Sequence, residues 1–356
     1  MFRLLISGLF YLGLAACSSS RSPSSPSREP SLILSEFLFQ NGPSESCHAS
    51  TIAETRAGLV VAWYGGTWEG NPDVAIWTSL ERGRKWGTPV RVADGLQPDG
   101  KTRYPCWNPV LHQSTEGPLL LFYKVGPRPS RWWGMLTTSA DGGKTWSKPR
   151  HLSQGYLGPV RNKPVLLADG SLLCGASTED RGWRVHLERT PDLGASWERT
   201  SDLNEGSIYE AIQPTLLCWP SGRIQLLART KQGEIAQSWM GQDWKAWSPM
   251  EGTGLPNPDS AVDAVVLKDG RGLLIYNHAD RARSPLNAAV STDGKNWWAA
   301  LVLEDDPGEY SYPAVIQTRD QQVHVSYTWR RKRIKHIVID PAKIKSQPII
   351  HGRWPG

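Results

Sequence analysis

Arginines, carboxylates, tyrosines and indoles suited to handling an anionic sugar recur at matching points along the 356 residues. In chain order they are His48 with Glu69 and Asp73, then Arg103 with Asn108, Lys124 and Arg131, then Arg161 and Lys163 with Glu179. Tyr209, Glu210 and Gln213 follow with Arg229, then Asp259, Asp263, Asn277, His278, Arg281 and Arg283, and last Glu309, Tyr310 and Tyr312 with Arg330 and Arg331. A guanidinium fork grips a carboxylate through two parallel hydrogen bonds, and Trp68, Trp107 and Trp132 add flat faces for a sugar ring. Any one of these charges could instead pair with a neighbour or meet solvent, so the chemistry depends on the set converging. No HExxH, CxxC pair, Gly-rich phosphate loop, EF-hand or GxSxG elbow occurs, so neither a metal nor another cofactor is expected.

Convergence has to come from a repeat. A Ser/Thr-x-Asp-x-Gly-x-x-Trp phrase, the Asp box, is clearest at Ser139–Trp146 and weaker from Ser79 to Trp86, Thr190 to Trp197, Ser238 to Trp244 and Ser291 to Trp297. Its tryptophans return about every 50 residues, the signature of one supersecondary unit repeated around an axis or along a solenoid. Each unit has a hairpin signal, at Ala57-Gly58, Glu116-Gly117, Asp169-Gly170, Ser221-Gly222, Asp269-Gly270 and Asp320-Gln321, followed by a nearly continuous apolar strand. Six such units predict an all-β, six-bladed β-propeller with Asp-box repeats. The last unit lacks an outer strand, and Leu32–Phe39 is placed to supply it and close the ring. Strands alternate direction within a blade, so the Asp boxes fall on one face. The loops bearing the chemical side chains fall on the other, where binding and catalysis concentrate on a rigid scaffold.

Residues 1–17 read as a secretion signal whose Leu14-Ala15-Ala16-Cys17 resembles a bacterial lipoprotein processing site, with Cys17 as the lipidated residue. Residues 18–31 form a Ser/Pro-rich flexible tether, 32–345 the propeller and 346–356 a tail. A membrane-anchored protein of the bacterial envelope, at the outer membrane, is the expectation. The net charge of +6 favours anionic partners, but the basic residues are scattered among acids and only Arg330–Arg333 is dense. An acidic glycan fits this pattern and nucleic acid does not. A monomer is expected. Cys47 and Cys106 occupy matching points of consecutive units, so they read either as a bridge or as buried thiols.

With those motifs in place, the chain resembles the sialidase (neuraminidase) superfamily of Asp-box propellers over about residues 32–340. Glu210-Ala211-Ile212-Gln213 followed by Arg229 is similar to the family's Glu and second Arg, and Arg283 to its third Arg. Glu309-Tyr310-Ser311-Tyr312-Pro313 looks like its nucleophilic Tyr-Ser step, and Asp73 occupies the loop of its acid/base Asp. The resemblance implies Tyr310 as nucleophile, Glu210 as its proton acceptor and Asp73 as acid/base, with Glu69 as rival acid. A neutral Tyr suits an anomeric carbon that bears a carboxylate, because a carboxylate nucleophile would be repelled. Arg229 and Arg283 would hold the substrate carboxylate, joined in the pocket by His48, Arg103, Gln213 and Asn108. The departure is His48, which stands where the family has its first Arg. Either Arg103 substitutes for it, or the acidic sugar differs, or His48 is a catalytic base.

An exo-glycosidase removing a terminal acidic sugar is the leading reading. A uronate-specific lyase or hydrolase on the same propeller, and a propeller that only binds glycans, are the alternatives.

Overall fold

In a computed structural model, which describes residues 29–355, every long element is a strand and the only helical segments are the 3₁₀ turns Pro129–Arg131 and Pro341–Lys343. The strands form six antiparallel sheets set around an axis as a six-bladed propeller. The inner strands of blades one, two, four, five and six are Ser46–Thr55, Cys106–Gln113, Ala211–Cys218, Asp263–Val266 and Tyr310–Gln317. Blade three begins with the short strand Val165–Leu166, so the approach to it, through Arg161 and Lys163, reaches the axis as irregular backbone. Blade six takes Leu32–Phe37 as its outer strand, paired with Arg333–Ile339, which closes the ring as the sequence predicts.

The tail is not separate from the propeller. Gln347–Pro348 pairs with Trp298–Ala299 as a fifth strand of blade five, and Ile349 and Trp354 pack into the apolar layer that includes Leu255, Leu274 and Tyr276. Cys47, Cys106, Cys174 and Cys218 are all free thiols, the first three buried, so no bridge joins blades one and two. The expected signal segment and Cys17 lie outside the described residues.

The Asp boxes act as turn locks. Asp141 accepts from the Ser139 and Thr145 hydroxyls and from the N–H groups of Lys144 and Thr145. In blade four Asp243 accepts the turn N–H groups of Lys245 and Ala246, so the phrase is displaced there. Trp197 and Trp297 are buried between sheets, each indole covering on the order of 200 Å² of largely apolar surface.

One local device positions the site. The inner strands of blades one, two, four and six break register at His48/Thr51, Trp107/Val110, Ile212/Thr215 and Ser311/Ala314. A left-handed residue sits in each break: Ala49 (φ 55°), Asn108 (φ 39°), Gln213 (φ 56°) and Tyr312 (φ 54°). In the last three a proline follows, Pro109, Pro214 or Pro313, and it has no N–H to donate to the ladder. A bulge of this kind re-aims a side chain, here toward the axis. A non-glycine residue held at positive φ is strained backbone, which the surrounding sheet must over-determine.

Candidate functional site

Tyr312 stands at the centre. The guanidinium carbons of Arg161, Arg229 and Arg283, from blades three, four and five, lie 5.3, 5.5 and 5.5 Å from its ring centroid. The His48 ring is 4.1 Å away on the blade-one side. Arg161 is fully buried and donates to the carbonyls of Tyr312 and Pro313, holding the bulge in place. Below it Asp263 accepts from Lys163, the Thr215 hydroxyl and the Val315 N–H, tying blades three to six together.

A chain of alternating charges surrounds this centre. Arg229 donates to Asp259 Oδ1 at 3.0 Å, Arg283 to Glu309 at 3.1 Å, and Arg331 to Glu309 at 2.8 Å and also to Glu69. Glu69 in turn accepts from the Tyr64 hydroxyl at 2.5 Å. Burial drives Asp259 and Glu179 above the usual carboxylate range despite the Arg229 beside them. Burial would do the same to Glu309, but Arg331 and Arg283 bring it below that range. Burial and the Glu69 charge push the Tyr64 phenol up. The Trp183 ring lies 5.0 Å from the Arg229 guanidinium and forms a wall toward blade three. Gln213 Oε1 and Arg229 Nε are buried without a partner in the protein. An unpaired group of this kind costs about 1–3 kcal/mol, which a ligand or water bonded there would relieve.

Several sequence expectations are displaced. Tyr310 is buried in the apolar layer between blades five and six, and its hydroxyl accepts from Arg330 at 3.1 Å, away from the axis. Tyr310 and Tyr312 would share a face in a regular strand; the bulge between Ser311 and Ala314 separates them. Glu210 lies at the rim, where Lys231 holds it at 3.0 Å and lowers its pKa, and it accepts the Trp183 N–H. Asp73 accepts from the Thr67 N–H and hydroxyl and so closes its own loop. Arg103 pairs with Asp94 at 2.9 Å on the outer flank between blades one and two.

His48 is neither a carboxylate grip nor an accessible base. It is buried beneath Tyr312 with Nδ1 on the Thr328 hydroxyl, and burial together with Arg331, Arg283, Arg161 and Arg229 drives its pKa well below the usual histidine value. Arg331 lies beside the blade-one position: its carbonyl accepts the Cys47 N–H, and its charge is foremost among those that lower the His48 pKa. Arg229 and Arg283 lie against the Tyr312 ring, Glu69 is held between Tyr64 and Arg331, and Gln213 and Asn108 occupy bulges equivalent to that of Tyr312. Tyr312, Arg161, Arg331, Asp259 and Glu309 belonged to the sequence's ring of charges without being singled out. The signal that could have found Tyr312 is the repeated X-Pro step at Asn108-Pro109, Lys163-Pro164, Gln213-Pro214 and Tyr312-Pro313. Among the described residues no cluster of His, Cys, Asp and Glu has the geometry to hold a metal ion.

Comparison with known proteins follows the same lines. The family described as BNR repeat-like domain matches residues 57–325. No curated protein sequence matches the chain significantly. Among solved structures, a protein of unknown function from Dyadobacter fermentans superimposes with a TM-score of 0.73 at 17% identity, covering 87% of this chain and 98% of its own. A Hadza microbial sialidase, Hz136, gives a TM-score of 0.71 at 17% identity, over 85% of this chain and 67% of its own. The intramolecular trans-sialidase of Ruminococcus gnavus gives 0.71 at 14% identity, over 90% and 100%. At these identities the likeness establishes the fold.

Proposed function

The chain belongs to the BNR repeat-like domain family, on a sialidase-type propeller, and from that premise we propose that it is a glycosidase that removes a terminal acidic sugar from glycans. The observation that carries this reading is Tyr312, set on the axis among the guanidinium groups of Arg161, Arg229 and Arg283. Arg229, Arg283 and Arg331 receive the substrate carboxylate. Arg331 comes from the blade-six hairpin and takes the part of the arginine that His48 replaces.

Tyr312 Oη attacks the anomeric carbon as the glycosidic C–O bond breaks. The Asp259 carboxylate pairs with Arg229, its carbonyl accepts from Arg283, and burial raises its proton affinity, which suits the carboxylate to receive the phenolic proton. Glu69, between Tyr64 and Arg331, protonates the leaving oxygen, then takes a proton from the water that attacks the anomeric carbon, while Asp259 returns the phenolic proton to the departing Tyr312. Expected positions at the bacterial envelope and a lipid anchor at Cys17 are compatible with a polymer-facing enzyme and belong to this proposal.

Eliminative cleavage of a uronate is the second reading. What favours it is that no carboxylate hydrogen-bonds the Tyr312 hydroxyl among the described residues; with its proton released to water, the phenolate would take the proton from the carbon beside the uronate carboxylate while Glu69 protonates the leaving oxygen. Incubating the protein with a panel of acidic glycosides separates the two: hydrolysis releases a saturated monosaccharide, elimination an unsaturated product absorbing in the ultraviolet. Tyr312→Phe should abolish either reaction and Tyr310→Phe should retain it. Full turnover by Tyr312→Phe, or cleavage of no acidic glycoside, would overturn the proposal.

A further inference from the structure

The flank between blades one and two carries chemistry that the axial site does not use. A cleft of about 640 Å³ opens there, with Tyr123 and Trp133 of blade two forming part of its wall. Tyr123 is fully buried and its hydroxyl has no partner in the protein; the Trp133 indole N–H is likewise buried and unpaired. His151, exposed, lies nearly parallel to the Trp133 ring in a stacked arrangement, with 6.1 Å between ring centroids. Arg91 and Lys148 stand exposed among the lining residues, and neither forms an ion pair among the described residues. The one carboxylate in the wall, Asp94, is engaged by Arg103 at 2.9 Å.

Two residues with orphaned neutral donors and two unpaired cations therefore line one cleft beside a stacked aromatic pair. Buried donors of this kind are normally satisfied, and each exception calls for a partner. At blades four and five the C-terminal Trp354 packs against the apolar layer, edge-on to His278 at 5.1 Å. Among the described residues no tail segment lines the cleft at the flank of blades one and two. A ligand matching it must accept hydrogen bonds, carry negative charge and present a flat face of ring size.

We propose that this cleft is a second carbohydrate site, which holds a carboxylated sugar unit of a glycan independently of the axial centre. Its partners would be Tyr123 Oη, Trp133 Nε1, Arg91 and Lys148, with the sugar ring against Trp133 and His151. Such a site would keep an acidic polymer on the protein between turnovers at the axis.

The test is calorimetric titration of the full chain with a galacturonate tetrasaccharide, a neutral glucose tetrasaccharide and sodium sulfate. Binding of the acidic sugar alone is expected, and it should persist when the axial site is disabled by Arg229→Ala. Combined Arg91→Ala and Lys148→Ala substitutions should weaken it at least about tenfold, since hydrogen bonds to charged groups are the strong ones. Tyr123→Phe gives the sharper readout: the ligand-free protein should melt at a higher temperature, because a buried unpaired hydroxyl is gone, yet affinity should fall several-fold. A hydroxyl with only a structural role would change the melting temperature and leave affinity alone, which overturns the proposal. Loss of all binding in Arg229→Ala, indifference to the two cations, equal competition by sulfate, or no binding of the acidic tetrasaccharide would overturn it as well.

Discussion

Lys124 offers a quantitative test of how the axial segment is held. Its ammonium is fully buried and hydrogen-bonds the Pro159 carbonyl, two residues before Arg161, while Glu188 accepts the N–H groups of Leu157 and Gly158 in the same segment. Burial depresses the lysine from 10.5 to about 7, against the opposing pull of Glu188. The folded value lies below the unfolded one. Between the two the unfolded chain therefore holds more protons, and stability rises with pH across that window. A gap of about 3.5 units corresponds to roughly 4–5 kcal/mol, at about 1.4 kcal/mol per unit. Lys124→Met removes the proton-linked part while keeping the volume. In urea unfolding at pH 7.5, 8.5 and 9.5, wild type should gain on the variant by about 1.4 kcal/mol per pH unit. Thiols and phenols that titrate in the same range are common to both proteins and cancel in the difference. A flat difference would refute the reasoning, because it would mean that Glu188 keeps Lys124 charged throughout.

Three further outcomes are expected. Arg331→Ala should raise KM for an acidic glycoside by roughly 10- to 100-fold, the scale of a hydrogen bond to a charged group, with a smaller change in kcat; an unchanged KM would remove Arg331 from the carboxylate grip. His48→Phe should make stability less acid-sensitive, because a histidine with a depressed folded pKa withdraws stability as pH falls through its unfolded value near 6.5; acid unfolding curves identical to wild type would contradict the buried neutral state. Trp354→Ala should cost about 1–3 kcal/mol in denaturant unfolding, since the indole is only partly buried against the apolar layer, and should leave turnover intact.

Much of the site was legible as a set of residues and little of it as a set of roles. Arg229 and Arg283 could be chosen because motif order fixes the blade each comes from, and a guanidinium at the end of a long stem reaches the axis from there. Tyr310 could not be told from Tyr312, since two tyrosines two residues apart point the same way in a regular strand. Glu210 stands at the expected position, but Lys231 captures its carboxylate at the rim. Arg103 is drawn to Asp94 by a hairpin contact that no motif announces.

The sequence alone determined the ring. The period of the Asp boxes, the six hairpin signals and the orphan strand at the N-terminus are local patterns, and each was satisfied within one blade or between adjacent ones. Which side chains meet at the axis was decided only by the tertiary structure. Register breaks at Ala49, Asn108, Gln213 and Tyr312 turn single residues inward, and the orientation they produce depends on backbone conformation held by neighbouring blades. The meeting of His48 with Arg331, from opposite ends of the chain, has the same cause. Residues remote in order become neighbours once ring closure brings blades one and six into contact.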